Sequence, residues 1–80
     1  VGILAGTSEG AALCYRILCR EASEVMGSSM HPEITLHALP LGRYLEAVDR
    51  DDWARVAGLL SHSIAKLVRV GADIIVCPNN

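Results

Sequence analysis

Phenylalanine is absent from this chain of 80 residues, and one tryptophan and two tyrosines are its only aromatics. A core without large rings has to be assembled from Val, Ile, Leu and Ala, which with the other apolar types make up 51% of the sequence. Basic residues are also few: seven Lys or Arg stand singly among nine Asp or Glu, for a net charge of −2. With neither a basic stripe nor an aromatic platform, recognition of nucleic acid has no electrostatic basis. No apolar run approaches the ~18 residues that a membrane-spanning helix requires. The opening residues also lack a basic region followed by a small-residue cleavage site, so a soluble, cytoplasmic protein with no membrane partner is expected.

Cysteine is scarce, with Cys14, Cys19 and Cys77 forming an odd set at unrelated spacings. That excludes a disulfide framework, and no Cys-x-x-Cys or Cys/His pairing suggests a metal. Cys14 and Cys19 are expected to be reduced, buried thiols. The histidines, His31, His37 and His62, are dispersed and expected to be structural or solvated. Arg43, Tyr44 and Arg50 are expected at the surface without an assigned partner.

What is present alternates. "VGILAG" (Val1 to Gly6) reads as a buried strand ended by glycine. Thr7 or Ser8 can then cap a helix with an apolar face of Ala11, Cys14, Leu18, Ala22 and Val25, stopped at Gly27. "ITLHALPL" (Ile34 to Leu41) reads as a second strand closed by Pro40, and "GRYLEAVDRD" as a turn or two of helix. Asp51 or Asp52 caps a long helix whose apolar spacing runs through Trp53, Val56, Ala57, Leu60, Ile64, Leu67, Val68 and Gly71. "ADIIVCP" completes the pattern as a third strand, a continuous apolar run expected where both sheet faces are covered. Strands alternating with helices predict an α/β fold: a three-layer open parallel sheet, βαβαβ, with strand order 2-1-3. Both ends fall inside strand-like runs, so residues 1–80 are expected to be one lobe of a longer chain.

In open α/β sheets, ligands gather beyond the carboxyl ends of the strands. Gly6-Thr7-Ser8, Ala38 to Leu41, and Cys77-Pro78-Asn79-Asn80 all reach that rim. With order 2-1-3, Cys77 comes beside the Gly6-Thr7-Ser8 turn, where backbone N–H groups at a helix N-terminus favour an anion. Such surroundings also favour thiolate over thiol. Position alone leaves two readings of Cys77 open: a small hydrophobe ending a buried strand, or a reactive sulfur addressing a bound carboxylate.

"GILAGTSEGAALCYR", followed about sixty residues later by "GADIIVCPNN", resembles the N-terminal lobe of the aspartate/glutamate racemase superfamily, in particular its aspartate racemase-like members. The likeness spans essentially the whole chain and rests on Gly2, Gly6, Ser8, Tyr15, Gly71, Ala72, Asp73 and Cys77. It implies an amino-acid racemase independent of pyridoxal phosphate and of any other cofactor, with two similar lobes and a site between them. One cysteine from each lobe would flank the substrate α-carbon. By position, Cys77 would be one catalytic acid/base, Gly6, Thr7 and Ser8 would border the substrate carboxylate, and Asn79 and Asn80 would bind its amino or carboxylate group. The implied partners are a small amino acid or related carboxylate and the second lobe of the same polypeptide, with a homodimer also compatible. Hydantoin racemases, maleate isomerases and arylmalonate decarboxylases share this lobe, so substrate and reaction stay open within the superfamily.

Two other readings stand beside it. "LAGTSEG" is similar to the nucleotide-binding turn of precorrin-6A-type reductases, which use NADPH, although the full Gly-x-Gly-x-x-Gly spacing is absent. A non-catalytic α/β module acting through an exposed face is the third.

Overall fold

A run with no polar side chain, such as Val1 to Ala5, belongs in the middle of a sheet. The computed structural model, which describes residues 1–78, places β1 (Gly2–Ala5) there, buried along its length. Strand β2 (Thr35–Ala38) lies on one side of it and β3 (Ile75–Val76) on the other, both parallel, giving the order β2-β1-β3. The register sets Gly2 beside Thr35 and Ile75, Ile3 beside Leu36 and Val76, and Leu4 beside His37. The α/β class and the expected order 2-1-3 are the ones the chain adopts.

Alternation along β1 divides the core into two layers. Ile3 and Ala5 point to the side of α1 (Ser8–Met26), where they cluster with Ala11, Cys14 and Leu18. Gly2 faces the opposite side: a Cβ built on it would lie 3.4 Å from the Cβ of Leu67 and 3.0 Å from that of Ala72. That second layer is made by α3 (Trp53–Arg69), which packs on β1 and β2 through the buried Leu59, Ser63 and Leu67. The shorter α2 (Leu41–Asp49) packs against α3 and buries Ala47.

Local chemistry explains the boundaries. Thr7, in extended conformation, accepts a hydrogen bond from Gly10 N–H at 3.1 Å and so caps α1. Gly27 ends that helix with φ of 112°, a conformation that L side chains avoid. Of the two aspartates before α3, Asp52 is the cap, accepting from Arg55 N–H at 3.0 Å. Asp51 occupies the left-handed region at the α2–α3 joint and accepts from Trp53 Nε1.

Four expectations need correction. The second strand stops at Ala38, because Pro40 stands at the start of α2 and Leu41 is already helical. The third strand is two residues rather than a continuous run, and Ile74 is 60% exposed, so an edge strand with open surface replaces the doubly covered one. On α3 the buried face is rotated: Trp53, Ile64 and Val68 are exposed, whereas Ser63 is buried. On α1, Val25 is 88% exposed, one turn beyond what the sheet can cover, and Cys14 and Cys19 are half-buried rather than enclosed. No helix among the described residues is long and apolar enough to cross a membrane.

Candidate functional site at the carboxyl rim

The turn Gly6-Thr7-Ser8 links the carboxyl end of β1 to α1, and Ala38 to Leu41 links β2 to α2. Together with Ala5 these two segments wall a cavity of about 400 Å³ at the sheet rim. Three of the expected site residues, Gly6, Thr7 and Ser8, therefore share one concavity. The first amides of α1 have no upstream carbonyl to bond, so this wall presents N–H donors and the positive end of a helix dipole. Thr7 Oγ is committed as an acceptor by its cap, which leaves its hydroxyl hydrogen available. A Cβ at Gly6 would meet nothing within 4 Å, so backbone at the turn is open to close approach.

Cys77 follows β3 directly. Continuing the register one step past the Ile3–Val76 pair sets it level with Leu4, two residues before Gly6. Its thiol is free and exposed, and it stands outside the walls of the 400 Å³ cavity. Asn79 and Asn80 lie outside the described residues.

One residue that sequence reasoning left at the surface is partly drawn inside. Tyr44, on α2, is half-buried, and its hydroxyl is enclosed with no hydrogen-bond partner among the described residues. Burial, and then the proximity of Cys77, push this phenol above its ordinary pKa. The sequence carried no signal for this burial, because the spacing of Tyr44 after Pro40 does not say which side of α2 is covered.

Other titratable groups lie elsewhere. Tyr15 is on α1 and lines a groove of about 710 Å³ with Arg16, Cys19, Arg20 and His31, separate from the rim cavity. Interaction with the neighbouring Cys19 raises its pKa. His37 bonds Ser63 Oγ through Nδ1 at 2.6 Å, a structural role that joins β2 to α3. No group of three or more potential metal ligands is found among the described residues. Comparison with protein families, characterised proteins and solved structures returns no match to this chain.

Proposed function

We propose that this chain contributes one side of the active site of a cofactor-independent amino-acid racemase or epimerase of the aspartate/glutamate type. The observation that carries the reading is the exposed Cys77 thiol at the carboxyl end of β3, beside the strand that leads into the Gly6-Thr7-Ser8 turn. In the proposed reaction the turn and the α1 N-terminus hold the substrate carboxylate. The Cys77 thiolate takes the α-proton and becomes a thiol. The electron pair left on carbon delocalises into the carboxylate, whose growing charge the N–H groups stabilise. An acid on the opposite face, from the second lobe, returns a proton to carbon, and the roles exchange for the other enantiomer. Asn79 and Asn80 are assigned to the substrate's amino or carboxylate group by the resemblance alone.

The test is α-proton exchange in deuterated water, followed for each enantiomer with protein expressed from its complete gene. Cys77→Ala is expected to lower exchange by roughly 10²–10⁴-fold, the range for a lost acid/base group. Undiminished exchange in both directions removes Cys77 from the mechanism. Tight NADPH binding by a protein with no exchange activity would favour the reductase reading instead.

A further inference from the structure

A third concavity, between α2 and α3, takes no part in the rim site. It measures about 320 Å³ and is walled by Arg43, Arg55, Gly58, Leu59 and His62. Arg43 and Arg55 also wall a smaller recess of about 60 Å³ that Glu46, Arg50 and Asp52 help to line. Those carboxylates are committed. Glu46 pairs with Arg50 at 3.2 Å, and Asp52 accepts from the backbone N–H of Arg55 at 3.0 Å. Among the described residues the ion pairs are Arg50–Glu46 and Arg20–Glu21, so neither Arg43 nor Arg55 is held in an ion pair, and both guanidinium groups border one hollow.

Gly58 adds an independent observation. It lies in the interior of α3, where glycine weakens a helix relative to alanine. Neither packing nor backbone conformation asks for it: a Cβ there would meet nothing within 4 Å, and its φ is not positive. Its missing side chain leaves clearance in the wall between the two arginines.

We infer that this groove binds a phosphate group, free or carried on a small ester. Arg43 and Arg55 hold its oxygens, His62 supplies a third donor, and Gly58 provides the space. Two planar guanidinium forks match the geometry of phosphate oxygens, and two cations match a dianion better than a single carboxylate. The groove shares no wall residue with the rim cavity, so this site stands whether or not the racemase reading does.

The experiment is an amide chemical-shift titration with inorganic phosphate and with glucose 6-phosphate, ionic strength being held constant with chloride. Saturable shifts are expected at Arg55, Gly58 and His62, and Arg43→Gln or Arg55→Gln should each weaken binding about tenfold, as loss of a charged hydrogen-bond donor does. Gly58→Ala is expected to raise the melting temperature yet weaken binding, a split that a structural glycine would not produce. Tighter binding of the ester would identify an ester as the ligand, and equal binding would identify phosphate itself. Shifts that chloride alone reproduces, or binding unchanged in both arginine variants, overturn the proposal.

Discussion

At the scale of single residues, two contacts set the clearest expectations. Gly2 is closely surrounded; an added methyl would sit 3.0 Å from the Cβ of Ala72 and 3.3 Å from Ile75 Cγ1. Neither neighbour is the far end of a flexible chain, so Gly2→Ala is expected to cost about 1–3 kcal/mol by overpacking, measured by urea denaturation. His37 reports pH. Burial first, with Lys66 and His62 adding to it, lowers its pKa below the ordinary 6.5. The folded chain therefore prefers neutral imidazole, and as pH falls the unfolded chain takes up the proton first. This contribution to stability is fully present above about 6.5 and is lost as pH drops through the lowered folded value. A urea midpoint lower at about pH 5 than at about pH 7.5 is expected, and His37→Gln should flatten that difference.

Elements are held by caps and by which stripe of a helix meets the sheet. Removing the α3 cap with Asp52→Ala is expected to cost about 1 kcal/mol in the same denaturation measurement, within the range for lost N-caps. The helix positions, the Thr7 cap and the Gly27 stop were legible because each rests on local chemistry. The buried face of α3 was legible only in part, through Val56, Leu60 and Leu67. That helix carries two apolar stripes, and periodicity cannot choose between them when both are continuous. The choice is made by Ser63, which is buried because His37, twenty-six positions away, bonds it. A polar residue selected for the core by a distant partner leaves no trace in a hydrophobic pattern. Tyr44 was misplaced because the covered side of the short α2 is set by its packing against α3, which local spacing does not reveal.

Across the whole molecule, strand order and the rim location of Gly6, Thr7 and Ser8 followed from the alternation of strands and helices, because crossover handedness leaves few arrangements open. What alternation could not convey is how much apolar surface stays uncovered. Trp53, Ile64 and Val68 are 58%, 42% and 57% exposed and fall at helical spacing along one flank of α3. A continuous stripe of this kind favours association. Replacing Ile64 with Lys and Val68 with Glu is expected to change stability by no more than about 0.5 kcal/mol per site, as for exposed positions generally. Light scattering should show less self-association in that double variant, and no change there would mean the stripe is inert.

The sheet's shortness has its own bearing on how molecules of this kind meet. An extended segment seeking backbone hydrogen bonds would find a ladder of two residues along β3 or four along β2, too few rungs to hold a stranger for long. Strand-by-strand polymerisation through these short edges of the described residues is thereby disfavoured.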